Sequence, residues 1–205
     1  MCDLFVLFNG YSKLCNDKEM LANCSCSLIL GDHNIIVDTM TAWDSDKIIT
    51  ALAGYNILPD MIHYVISTHG HSDHIGNNNL FLKAKHIVGY SVSYKEKYFL
   101  HPFESGEKYY INENVEVLPT PGHTLSDVTV LVKTKEGTVA VAGDLFENSE
   151  DIENPTIWMS AGSENPALQR KNRAAVAEIA HWIVPGHGPK FKVTEEIRNS
   201  LSKQI

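Results

Sequence analysis

The chain has 205 residues, 43% hydrophobic and 20% charged, and its 17 Lys and Arg against 25 Asp and Glu give a net charge of −8. A chain this long buries roughly 70% of its unfolded surface, so residues 1–205 suit one domain that needs no covalent staples. The acidic balance excludes a general polyanion-coating protein, and no run of about 18 apolar residues is available to span a membrane.

The start, Met1 to Phe8, has no basic segment and no small-residue cleavage site, and reads as a first strand rather than a signal peptide. The four cysteines, Cys2, Cys15, Cys24 and Cys26, are expected as free thiols in a reducing compartment, the cytosol or the nucleus. Asp3–Asn9, Ser25–Leu30 and Ile35–Asp38 read as strands, with Gly31–Asn34 as a turn. Thr41 or Asp44 caps a helix through Gly54, with Ile48, Ile49, Leu52 and Ala53 on its buried side. His63–Ser67 is a buried strand. The second half repeats the order: Val115–Leu118, Val128–Val132 and Thr138–Ala142 as strands, a helix over Asn165–His181, a strand over Trp182–Val184 and a closing helix over Val193–Leu201. Two halves of strands followed by helices predict two facing mixed sheets with helices outside. Phe146–Ser163 is the least regular stretch.

Ten histidines stand out, and the densest group is Thr68-His69-Gly70-His71-Ser72-Asp73-His74. A strand end is rigid, and a glycine-bearing turn aims alternate side chains at one point. His69, His71, Asp73 and His74 are therefore metal-competent; neutral imidazole and carboxylate are donors that zinc takes at about 2.0–2.2 Å. Three further turns each add one donor after a strand-like run: His123 in Pro121-Gly122-His123-Thr124, Asp144 in Gly143-Asp144-Leu145, and His187 in Pro185-Gly186-His187-Gly188-Pro189. His33, His63, His86 and His181 read as structural. Phe99, Leu100 and Phe103 are candidates for a substrate wall or a homodimer contact, as are Trp158 and Met159. Arg170, Lys171 and Arg173 read as a solvated helix face.

His-x-His-x-Asp-His at 69–74, followed by His123, Asp144 and His187, resembles the metallo-β-lactamase superfamily over nearly the whole chain. That resemblance implies an α+β fold, the αββα sandwich, with the metal site at one edge between the sheets. It also implies two zinc ions: one held by His69, His71 and His123, one by Asp73, His74 and His187, with Asp144 bridging. Asp73 would accept a proton from the attacking water. Antibiotic-hydrolysing members usually carry Cys or Ser where Asp144 stands, which argues against antibiotic hydrolysis as the physiological role. The words around the ligands (GHSDHIGN, VAGDLFE, VPGHGP) are similar to an animal branch associated with 3′-end cleavage of histone pre-mRNA, which implies an endoribonuclease.

The −8 charge weighs against RNA, because phosphate neutralisation supplies much of nucleic-acid affinity. The same ligand set fits a thioester or lactone hydrolase resembling glyoxalase II. It also fits a persulfide dioxygenase that uses one iron held by the two histidines, His123 and Asp144. A non-enzymatic metal-binding scaffold ranks last, since no ligand is missing.

Overall fold

A computed structural model describes residues 1–205. The first half runs β1 (Asp3–Phe8), β2 (Tyr11–Asn16), β3 (Glu19–Asn23), β4 (Cys26–Leu30), β5 (Ile35–Val37), α1 (Ser45–Gly54), β6 (Tyr64–Ser67), α2 (Ser72–Ile75), β7 (Lys85–Val88), β8 (Ser91–Tyr94) and β9 (Lys97–Phe99). The second runs β10 (Tyr109–Asn112), β11 (Val115–Pro119), β12 (Val128–Thr134), β13 (Gly137–Gly143), α3 (Thr156–Ser160), α4 (Pro166–Ile179), β14 (Trp182–Pro185), β15 (Phe191–Lys192) and α5 (Glu195–Ser202).

Seven strands form one sheet in the order β1-β4-β5-β6-β7-β8-β9, and six form the other as β10 through β15 in sequence order. The β2–β3 hairpin stands apart as a small sheet of its own. Strand alternation sorts side chains between two faces. On β12, Val128, Val130 and Val132 point inward and meet Ile35, Val37, Ile66 and Ile87 of the facing sheet. Leu131 points outward and joins Ala174, Val176 and Ala177 of α4 and Leu201 of α5. On the other outer face, Leu28, Ile36 and Val65 pack under Ile48 and Leu52 of α1. These three apolar layers make the expected αββα sandwich.

Local signals explain the helix limits. Asn165 caps α4 by accepting the Leu168 N–H at 3.0 Å, and Pro166 occupies the first turn, where a missing N–H costs nothing. Thr194 caps α5 through Ile197 N–H at 3.4 Å. The stripe on α1 is narrower than its sequence suggests: Ile48 and Leu52 are buried, but Ile49 is 39% exposed and Ala53 faces solvent. One sheet face covers only one side of a ten-residue helix, which leaves the flanking positions open. Phe146–Ser163 is more ordered than expected, carrying a 3-10 turn at Ser149–Ile152 and then α3.

The topology places the site. β5 and β6 are parallel, as are β13 and β14, so their carboxyl ends lie together on one rim. Asp38, Thr68, Asp144 and Gly186 all follow directly from those ends.

Candidate metal centre

The predicted donors sit on the segments that follow strand ends. His69 follows β6, and the turn between them carries His71 to the first position before α2, which supplies Asp73 and His74. His123 lies in the β11–β12 loop, Asp144 follows β13, and His187 follows β14. Gly143 takes φ +53, and a Cβ there would collide with the Thr68 hydroxyl, so the two strand ends approach closely beneath the site.

The structure brings all seven predicted donors into two adjacent groups, His69–His71–His123–Asp144 and Asp73–His74–His187, the donor atoms within each lying inside 4.8 Å of one another. His71 Nδ1 is 2.8 Å from His69 Nε2 and 3.1 Å from His123 Nε2. Tetrahedral bonds of 2.0–2.1 Å would set such nitrogens roughly 3.3 Å apart. Asp144 lies between the groups: Oδ1 is 3.2 Å from His74 Nε2, while Oδ2 is 3.4 Å from both His123 Nε2 and His187 Nε2 and 3.6 Å from His69 Nε2. Asp73 Oδ2 is 3.9 Å from His74 Nε2 and 3.8 Å from His187 Nε2.

Burial makes this arrangement costly without a cation. His69, His74, His123, Asp144 and His187 are all buried, and His74 Nε2 and Asp144 Oδ1 have no hydrogen-bond partner. Imidazole lone pairs converging on a carboxylate, with orphaned donors between, fit a divalent metal. Burial lowers the His69 and His123 pKa values and favours the neutral rings a metal requires. Burial would raise Asp144, but the His74 and His69 charges hold it well below the carboxylate range. Burial also opposes charge on His187, yet its hydrogen bond to Asp144 and that group's charge lift it to about 9. His74 is likewise raised, Asp144 and Asp38 outweighing its burial.

Residues beyond the predicted set fix these rings. Asp38, buried at φ +57, accepts the Thr68 N–H at 2.7 Å and faces His74 Nδ1 at 3.0 Å. His187 Nδ1 faces the carbonyls of Tyr11 at 3.2 Å and Asn23 at 3.1 Å, so the ends of the β2–β3 hairpin set its tautomer. Gln169 on α4 donates to the Asp144 carbonyl at 3.0 Å, and Asn172 to the Pro121 carbonyl at 2.6 Å. None of these was singled out from sequence. Asp38 ends a predicted strand, and its carboxylate was the available signal.

A cleft of about 100 Å³ opens over the donors, walled by Ser12, Met20 and Ala22 of the hairpin and by Ala161 after α3. Glu147 lines it too; burial and then the Asp144 charge push its carboxyl up to about 8. Other candidates lie elsewhere. Phe103 is buried between the sheets, Leu100 is fully exposed on the far edge, and Trp158 is buried behind the site. Arg173 overturns its reading as solvated: it is fully buried and bonded twice to Asp151, at 2.6 and 3.0 Å. The remaining histidines join turns and strands; His63 Nδ1, for example, accepts the Asn34 N–H at 2.9 Å.

Residues 21–187 match the model of the metallo-beta-lactamase superfamily. The chain belongs to the metallo-β-lactamase superfamily. Within it, the chain is 42% identical to Metallo-beta-lactamase domain-containing protein 1 of Xenopus laevis, over 92% of this chain and 80% of that one. The Homo sapiens protein of the same name is 41% identical over 79% of this chain and 60% of its own length, so this chain spans about three-fifths of that relative. An N-acyl homoserine lactone hydrolase, solved with N-hexanoyl-L-homoserine at its catalytic metal centre, shares the metallo-β-lactamase fold at TM-score 0.62 and 16% identity, covering 91% of this chain and 92% of that one. Membership carries metal-dependent hydrolase chemistry at the class level.

Proposed function

We propose that this protein is a dinuclear metallohydrolase in which His69, His71 and His123 hold one zinc ion, Asp73, His74 and His187 hold a second, and Asp144 reaches both. The observation that carries this is Asp144 itself, buried with one carboxylate oxygen toward His74 and the other toward His69, His123 and His187. Such ions, when bound, supply an acidified water as nucleophile and positive charge for the attacked oxygen. The protein's part is positional. Asp38, Thr68 and the hairpin carbonyls fix the rings, and Asp73, whose side chain is 19% exposed, faces the cleft where it takes the proton from the attacking water.

The substrate we assign is an RNA phosphodiester. The ligand-flanking words support it, and so does Trp43, 90% exposed, a flat surface suited to stacking a base. Its neighbour Asp44 accepts a hydrogen bond from Asn23 of the hairpin at 2.8 Å. The second reading, a small lactone or thioester, is favoured by the narrow cleft and by the apolar Met20 and Ala22 of the hairpin that line it.

Metal analysis of protein purified without added metal is the first test, with close to two zinc ions per chain expected. Asp144→Ala should lose the paired loading and most turnover; retention of both would overturn the ligand assignment. One iron per chain would turn the chemistry toward sulfur oxidation. With two zinc ions, single-stranded RNA should be cut in a metal-dependent, salt-sensitive manner. Turnover of a lactone or thioester with RNA left intact would overturn the RNA assignment and leave the hydrolase standing.

A further inference from the structure

Glu147 brings another carboxylate into the cleft. It is 2% exposed, lines the same space as His71, Asp73, His123, Asp144 and His187, and its Oε1 is buried with no hydrogen-bond partner. Its backbone is held on both sides: the N–H donates to Asp151 Oδ2 at 2.8 Å, and the carbonyl accepts the His187 N–H at 2.8 Å. A carboxylate oxygen of Glu147, one of Asp144 and a ring nitrogen of His187 lie within 4.8 Å of one another. Arg173 of α4, the buried cation packed against this loop, is committed to Asp151. Two buried carboxylates thus share one space with His187, and no Lys or Arg lines it.

We propose that Glu147 is a further donor of the metal centre on the Asp73–His74–His187 side, biasing that side toward a harder, oxygen-preferring divalent ion such as manganese. The inference rests on the two-ion reading above. Its chemical basis is the imbalance of donors: three imidazoles on the His69 side, against two imidazoles and the Asp73 and Glu147 carboxylates on the other, with Asp144 common to both.

The test is metal binding to the metal-free full chain, titrated with zinc alone and with manganese alone, and with the manganese environment read by electron paramagnetic resonance. Wild type is expected to take two ions. Glu147→Gln keeps the shape and removes the charge; it should bind the first ion unchanged and the second at least tenfold more weakly, with a larger loss for manganese than for zinc. Glu147→Asp restores the charge and should recover part of that affinity. Glu147→Gln binding both ions like wild type overturns the inference alone, as does Glu147→Asp performing no better than Glu147→Gln, which would mark a packing role. A wild-type chain that takes only one ion overturns the two-ion reading and this inference with it.

Discussion

Asp38 carries more than its share at the scale of single residues. Its backbone sits in the left-handed region at φ +57, which costs a non-glycine residue of the order of 1 kcal/mol, and its carboxylate holds both the Thr68 turn and the His74 ring. Asp38→Ala is expected to weaken metal binding about 10–100-fold by freeing the ring, and to cost the metal-free fold about 1–3 kcal/mol through the unsatisfied Thr68 N–H. Zinc competition against a chelator and denaturant unfolding read the two effects separately. Gly186 is a second tight point. A Cβ there would strike Asp144 Oδ1, so Gly186→Ala should lower paired-metal loading while leaving the strand beneath it intact.

The loop and helix behind Asp144 form a brace. Arg173 on α4 donates to the Leu145 carbonyl at 2.8 Å and to both oxygens of Asp151, and its guanidinium lies 4.3 Å from the Phe146 ring centroid. Both partners of this ion pair are fully buried, so removing one leaves the other charge stranded. Asp151→Ala should therefore cost about 3–5 kcal/mol in denaturant unfolding, and more than the double replacement Asp151→Leu with Arg173→Met. A double variant as unstable as the single one would mean that the stranded charge is not the cause.

For the whole molecule, the site and the fold share one free energy. Without metal, His187 has its pKa raised to about 9 against roughly 6.5 in an unfolded chain. Its pairing with Asp144 thus stabilises the metal-free fold fully below about pH 6.5, and that contribution is lost as pH rises to about 9. A metal needs the same nitrogen unprotonated, so zinc uptake at pH 7 should release protons, and its apparent affinity should climb with pH up to about 9. Titration in two buffers of different ionisation enthalpy counts those protons. Chelator treatment should lower the melting temperature, and re-addition of zinc should restore it, because donors assembled by the fold bind an ion more tightly than the same residues in the unfolded chain.

Much of this was legible along the chain. Strand-like runs that stop at His69, His123, Asp144 and His187 sit beside Gly or Pro, and periodicity alone places those donors at strand ends. The four donors packed into residues 69–74 state their chemistry outright, because spacing that short needs no tertiary structure to bring them together. The β2–β3 hairpin was not legible: its strands are almost wholly exposed, so no burial pattern marks them, although their ends fix His187. Arg173 was misread for the opposite reason. A charged residue in an alanine-rich helix reads as solvated until the fold sets Asp151 against it. The sequence by itself determined the donor types, the strand ends that carry them and the superfamily. Only the tertiary structure decided which residues steady those donors and that Glu147 shares their cleft. Those relations join segments far apart in the chain, where pairing of buried charge depends on distance in space and leaves no periodic trace.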